Sequence, residues 1–310
     1  MPKIALKIDV DTYRGTREGV PKLVEILKKH EAGATFLFSL GPDHTGRAMK
    51  RVFRRGFMKK VSRTSVLEHY GIKTLLYGTL LPGPDIGEKC ADTLRSVRNA
   101  GFEVGIHTWD HVKWQDGVAT ARPDWTEHQM RLAVDRFEQI FGEPARVHGA
   151  AGWQMNAHAL RLTQRFGFAY CSDGRGTGPF VPVRNAEIVA CPQLPTTLPT
   201  LDELLGRDGL TTANVANHLL NLTQTHPSAP DTVMGHVYTL HAELEGGKLA
   251  PVFEELLAGW KAQGYELVAL RDLAAALDLE SLPRCEFERG EIDGRAGLLA
   301  VQGREFLAPR

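Results

Sequence analysis

Two histidines stand four residues apart in Gly105-Ile106-His107-Thr108-Trp109-Asp110-His111, where the strand-forming run Phe102 to Ile106 gives out. Imidazoles so placed can ligate a divalent ion, although a lone His-x-x-x-His arises often by chance and buried histidines are usually satisfied by backbone carbonyls. Near the N-terminus, Asp9-Val10-Asp11 puts two carboxylates on one side of an extended segment, because strand side chains alternate. Carboxylates that close raise each other's pKa unless a cation or donor stands nearby. A third polar end, His241-Ala242-Glu243, closes the run Thr232 to His241. Two imidazoles and a carboxylate form a triad suited to Zn²⁺ or a similar divalent ion, with positions open for water and substrate. Each end also has an ordinary reading: either aspartate could cap the following turn, His241 could be a core histidine, and His111 could lie on the surface. Three such ends on one face make coincidence the weaker explanation.

For these ends to meet, strands must carry them to a common face. Runs rich in β-branched and aromatic residues occur at 3–9, 34–39, 102–106, 145–150, 168–172, 186–191, 232–241 and 265–270, each bounded by Gly, Pro or Asp. Between them lie amphipathic stretches such as VPKLVEILKKH, EKCADTLRSVRNAG, TEHQMRLAVDRFEQIFG and LAPVFEELLAGWKAQG, three of which end on glycine. Strand–helix alternation predicts a parallel sheet whose chemistry collects at the carboxyl ends of the strands. Seven or eight such units suggest closure into a barrel, with an open doubly wound sheet as the alternative. We expect residues 1–282 to form one catalytic domain, with 44–87 an insertion and 283–310 a Gly- and charge-rich tail without an assigned element. SDGRGTGPF (172–180) and PQLPTTLPTLDE (192–203) read as pocket-shaping loops.

Composition narrows the function classes. The 310 residues include 37 basic and 37 acidic side chains, so no overall field draws the chain to nucleic acid. Cys90, Cys171, Cys191 and Cys285 form no C-x-x-C pair, which speaks against a disulfide framework or thiolate zinc site and fits a reducing cytoplasm. No signal-peptide core and no run of eighteen apolar residues is present, so neither export by that route nor a membrane span is expected.

Asp9-Val10-Asp11, His107-Thr108-Trp109-Asp110-His111 and Leu240-His241 resemble, in order and spacing, the motifs of the polysaccharide deacetylase (NodB-homology) family, over about Ile4 to Leu270. The resemblance implies a distorted (β/α)7–8 barrel. It implies Asp11, His107 and His111 as ligands of one divalent metal ion, Zn²⁺ foremost with Mn²⁺ or Co²⁺ as alternatives. It further implies Asp9 as general base and His241, from the opposite wall, as general acid. Two departures stand out: Val10 separates carboxylates that are adjacent in many members, and Ala150-Ala151-Gly152-Trp153-Gln154 stands where members commonly have Arg-x-Pro-aromatic. With IDVDTYRGTREGVP, SDGRG, QLPTTLPT and VYTLHAELEG, these departures are similar to a subgroup that deformylates a formamido sugar carried on a polyprenyl phosphate, in the modification of lipid A. That likeness implies hydrolysis of a linear amide C–N bond at the cytoplasmic face of the inner membrane. Around the substrate we expect Trp153 packing a sugar face or the lipid stem, Asp173 and Arg175 orienting His241 or clamping a phosphate, and Glu243 bonding a sugar hydroxyl.

A lipid-linked substrate draws attention to Gly46–Leu67, where Arg47, Lys50, Arg51, Arg54, Arg55, Lys59, Lys60 and Arg63 occur without one acidic residue. If 46–63 is helical, Met49, Val52, Phe53, Phe57 and Val61 fall mainly opposite the cations, as in a helix lying on anionic lipid. YGIKTLLYGTLLPGP (70–84) continues as an apolar, Gly-broken hairpin or lid. A solvated basic helix face is the plainer alternative. Competing functions are deacetylation of polysaccharide or peptidoglycan sugars and non-catalytic binding of polyprenyl phosphate. A glycosidase using Asp9 and Asp11 fails, because same-face neighbours on one strand cannot flank a glycosidic bond.

Overall fold

In the computed structural model, which describes residues 1–48, 73–225, 235–278 and 280–307, the first apolar run forms β1 (Lys3–Val10), buried from Ile4 to Val10. A strand buried on both faces belongs in the middle of a parallel sheet. The others are β2 (Thr35–Ser39), β3 (Glu103–Thr108), β4 (Val147–His148), β5 (Tyr170–Cys171), β6 (Val181–Arg184), β7 (Glu187–Ile188), β8 (His236–His241), β9 (Glu266–Val268), β10 (Arg284–Glu291) and β11 (Leu298–Glu305). Seven of these build a parallel sheet in the order β5-β4-β3-β2-β1-β8, with β9 pairing the first residues of β1.

Neither edge of that sheet is bare. Cys171 N–H donates to Pro192 O at 2.9 Å, Leu194 N–H to Cys171 O at 2.7 Å, and Thr197 N–H to Val237 O at 3.0 Å. The segment 192–198 therefore joins the two edges and completes the distorted barrel expected from the sequence. It does so as a loop, since Pro192, Pro195 and Pro199 carry no N–H for a regular ladder.

The run at 186–191 departs from expectation: it is no barrel strand. Asn185 and Ala186 both have positive φ (53° and 61°), the geometry of a two-residue hairpin turn, and this folds Glu187–Ile188 back antiparallel onto β6. The tail supplies β10 and β11, so a second sheet runs β11-β10-β6-β7.

Helices cover the barrel. α1 (Val20–Lys29) buries Val20, Leu23, Ile26 and Leu27 on one face, each stabilised by about 1.5–3 kcal/mol relative to exposure. α2 (Ala91–Asn99), α3 (His111–Gly117), α4 (Pro123–Phe141), α5 (Ala157–Arg165), α6 (Val215–Thr225) and α7 (Ala250–Ala262) follow. α4 ends at Gly142, whose φ of 71° gives the left-handed stop read from the sequence. No helix among the described residues is long and apolar enough to cross a membrane.

Candidate active site

The strand order brings the polar ends together. Asp9 lies in register with Leu37 of β2 on one side and His241 of β8 on the other. His241 thus stands beside Asp9, and the expected position on the opposite wall is corrected: β8 is the hydrogen-bonded neighbour of β1, an adjacency set by the wrap of the sheet.

Asp11 follows the last residue of β1, His107 lies near the end of β3, and His111 opens α3. Asp110 caps that helix by accepting from Lys113 N–H at 3.0 Å, while its other oxygen lies 2.6 Å from His44 Nδ1. Asp11 Oδ1 is 3.2 Å from His107 Nε2, and Oδ2 is 3.4 Å from His111 Nε2. Burial alone would raise the Asp11 carboxyl, but His111 and His107, with His241 beyond them, outweigh it and hold that carboxyl well below the usual range. Conversely, Asp9 and Asp11 raise His107 against the opposing effect of its burial.

Hydrogen bonding tests whether these three residues fit a cation. His107 Nδ1 lies 2.7 Å from Gly149 O, and a carbonyl can only accept, so Nδ1 carries the proton. In the neutral ring, Nε2 is then a lone pair facing the Asp11 Oδ1 lone pairs at 3.2 Å, and that buried oxygen has no hydrogen-bond partner. Two facing acceptors call for a positive charge between them, supplied by a bound cation or, without one, by the proton that Asp9 and Asp11 favour on His107. Donor atoms of Asp11, His107 and His111 all lie within 4.8 Å of one another, so the trio fits a divalent ion. Gly149 is needed for this approach: a Cβ there would sit 2.4 Å from Leu37 Cδ1 and 3.0 Å from Lys7 Cε.

Asp9 is 3% exposed. Its Oδ2 accepts from Lys7 Nζ at 3.1 Å, while Oδ1 is buried without a hydrogen-bond partner, 3.7 Å from His107 Nδ1. The sequence reading missed Lys7. The signal was there: Lys7 and Asp9 lie two residues apart on one face of β1, inside the buried stretch Ile4 to Val10. His241 donates its main-chain N–H to Glu245 at 2.9 Å, and its Nδ1 is buried without a partner.

The other expected substrate contacts are engaged within the protein. Glu243 Oε1 accepts from Asp11 N–H, Thr12 N–H and the Thr12 hydroxyl at 3.1, 2.8 and 2.8 Å, which braces the turn carrying Asp11. Asp173, fully buried, lies 2.6 Å from His148 Nδ1 and accepts from Ala150 N–H and Gln193 rather than pairing with His241 as expected. Arg175 bonds Glu203, Thr196 O and Leu198 O. Trp153 is 2% exposed at a strained φ of 50°, and Lys7, Arg175 and Arg295 lie 5.3, 5.1 and 4.6 Å from its ring centroid. The Trp153 ring thus lies against Lys7 on one side, with the Arg175 and Arg295 guanidinium groups also over it. Gln193, Glu203 and Arg295, the partners of Asp173, Arg175 and Trp153, lie too far along the chain for local pattern to reveal them.

Of the basic segment, Arg47 is described and donates from Nε to Gly78 O at 3.0 Å. Lys50, Arg51, Phe53, Arg54, Arg55, Phe57, Lys59, Lys60 and Arg63 lie outside the described residues.

Comparison with known proteins agrees with this architecture. Residues 2–171 match the family described as polysaccharide deacetylase, and the chain belongs to that family. A relative from Shewanella sediminis (strain HAW-EB3) is 40% identical over 97% of this chain and 94% of its own length. Its name is "Probable 4-deoxy-4-formamido-L-arabinose-phosphoundecaprenol deformylase ArnD". A relative of the same name from Wigglesworthia glossinidia brevipalpis is 32% identical over 93% of this chain and 98% of its own. Among solved structures, a polysaccharide deacetylase-type protein of Mycobacterium smegmatis superposes with a TM-score of 0.61 at 17% identity, covering 94% of this chain and 96% of that one. One from Pseudomonas aeruginosa PAO1 gives 0.59 at 13% identity, covering 88% and 90%. Both share the fold.

Proposed function

We propose that this chain is a metal-dependent hydrolase that removes the formyl group from 4-deoxy-4-formamido-L-arabinose carried on undecaprenyl phosphate, releasing formate and the free aminosugar lipid used in lipid A modification. Similarity to the two deformylase-named relatives over nearly the full length of the chain supports the substrate. The observation that carries the chemistry is the lone-pair confrontation between Asp11 Oδ1 and His107 Nε2, which suits a cation held by Asp11, His107 and His111.

What a divalent ion supplies when bound there, Zn²⁺ foremost with Mn²⁺ and Co²⁺ compatible with the same donors, is Lewis-acid polarisation of an amide carbonyl and a lowered pKa for water. Asp9 takes a proton from the attacking water through Oδ1, the oxygen without a hydrogen-bond partner. Lys7 holds the other oxygen by a charge-assisted bond and so fixes the direction in which Oδ1 points. His241, braced through its main chain by Glu245 and in register with Asp9, gives a proton to the departing sugar nitrogen. One proton is taken and one delivered as the C–N bond is replaced by C–O. Asp173, Arg175 and Trp153 act as positioning residues, and Glu243 as the brace of the Asp11 turn.

The same reading places the chain on the cytoplasmic face of the inner membrane, with the 44–87 insertion, including Arg47 and the cations that follow it, against anionic lipid. Leu80 and Leu81, 80% and 37% exposed on the turn after Tyr77, support an apolar contact there. The test combines metal analysis of purified protein with formate and amine release from the formamido-sugar polyprenyl phosphate. One bound ion and turnover are expected. Bound metal without turnover on that lipid, together with deacetylation of chitin oligomers, overturns the assignment.

A further inference from the structure

A second feature lies on the same face as the catalytic groups. The loops that follow β1 and β8 enclose a pocket of about 290 Å³, lined by Arg14, Gly15, Glu243, Gly246 and Lys248 among others. That volume is near the lower end of small-molecule sites. Because β1 and β8 are hydrogen-bonded neighbours, the pocket adjoins the strand ends that carry Asp9 and His241. Glu18 accepts from Arg14 Nε at 2.8 Å and steadies the guanidinium at the pocket wall. Lys248 is exposed on the β8 loop. Gly15 allows the two loops to touch, since a Cβ there would fall 2.0 Å from Glu243 Oε1. The Glu243 carboxyl has one oxygen bonded to the Asp11 turn, while Oε2 is buried without a hydrogen-bond partner, on a side chain 6% exposed.

Two cations and an unpartnered carboxyl oxygen beside the scissile-bond groups suit an anion attached to a hydroxyl-bearing ring. We propose that this pocket is a phosphate subsite: Arg14 and Lys248 bind the phosphodiester oxygens of the sugar lipid, Glu243 Oε2 forms a hydrogen bond with a ring hydroxyl, and the formamide is thereby presented to Asp9 and His241. This rests on the function proposed above and adds what selects a phosphorylated sugar over a neutral one. An exposed mouth also suits the substrate, because the prenyl chain must leave the protein toward lipid.

The same cations could instead meet a phospholipid headgroup, so the experiment excludes phospholipid at first. The formamido sugar is supplied in detergent micelles both as a short-chain prenyl phosphate and as its methyl glycoside, and the ratio of kcat/KM values is measured. Wild type is expected to favour the phosphate. The Arg14→Ala/Lys248→Ala variant, checked for wild-type metal content, lowers the ratio by about tenfold or more, as expected for lost charge-assisted bonds, while Lys248→Arg retains it. An unchanged ratio in the double variant overturns the subsite and leaves the hydrolase standing. A ratio that changes only when anionic phospholipid vesicles are added assigns the cations to headgroups, which also overturns it. Wild type that cleaves neither compound overturns the function itself, and the subsite with it.

Discussion

Two clusters of ligand-type side chains sit near the ends of barrel strands, and they are built to opposite plans. Asp11, His107 and His111 form one, and His148, Cys171 and Asp173 the other, each with donor atoms within 4.8 Å of one another. In the second cluster the polar atoms answer each other. Asp173 Oδ1 lies 2.6 Å from His148 Nδ1 and accepts from Ala150 N–H at 2.9 Å, Oδ2 accepts from Gln193 at 3.0 Å, and its own N–H donates to the same amide at 3.0 Å. Burial, then the Cys191 thiol and Asp173, push the Cys171 thiol well above its usual pKa, so it stays protonated. In the first cluster, carboxylate and imidazole lone pairs are turned toward each other, and Asp11 is held anionic. The comparison teaches that proximity of His, Cys and Asp does not distinguish a cation site from a buried polar network. Lone pairs left without donors do.

Substitutions in the two clusters should separate them. His107→Ala removes one of three donors, and neither stoichiometric metal nor turnover should remain; metal analysis of the purified variant reads this directly, and full metal occupancy would break the comparison. Asp9→Asn is expected to keep its metal and lose about 10² to 10⁴ in kcat, the usual contribution of a general base. Lys7→Met leaves the Asp9 carboxylate unanchored, with activity expected to fall about 10- to 100-fold, as for partners one step behind a reacting group, at wild-type metal content. His148→Ala should leave metal content untouched and lower the unfolding free energy on the order of 3 kcal/mol, from a cavity and a stranded Asp173 oxygen. Denaturant unfolding checks that value, and metal loss in this variant would merge the two clusters into one system.

The residues that come together at the first cluster were legible because each lies at or just after the end of a strand, and strand ends in a parallel barrel share a face. Relations that depend on how the sheet wraps were not. Nothing local in Leu240-His241 says that β8 is hydrogen-bonded to β1, so His241 was expected across the barrel when it lies beside Asp9. The run at 186–191 has strand composition, yet the positive φ values of Asn185 and Ala186 turn it into another sheet. Asp173 and Arg175 stood out as charges in a Gly-rich loop, but their role depends on Gln193 and Glu203, which arrive from the closing segment and the helical turn after it. Lys7 needed only the alternation already used to pair Asp9 with Asp11.

The smallest expected effect concerns Glu245, which resembles the second cluster in being buried yet touches the first through His241. Its carboxyl accepts the His241 N–H at 2.9 Å and faces the Tyr238 hydroxyl at 3.4 Å. Burial raises it from 4.5 to about 7, against the attraction of His241. The folded state therefore holds this proton more tightly than the unfolded chain does. Stability from the group is complete below its unfolded pKa and is lost as pH rises through the folded value, so unfolding free energy should decline across that window. Glu245→Gln keeps an acceptor for the His241 N–H and cannot titrate. Thermal unfolding between about pH 5 and about pH 8 should then show a shallower decline in Tm for the variant than for wild type. An identical decline in both would place the proton elsewhere, with Glu103 and Glu243 next in line because burial raises them as well.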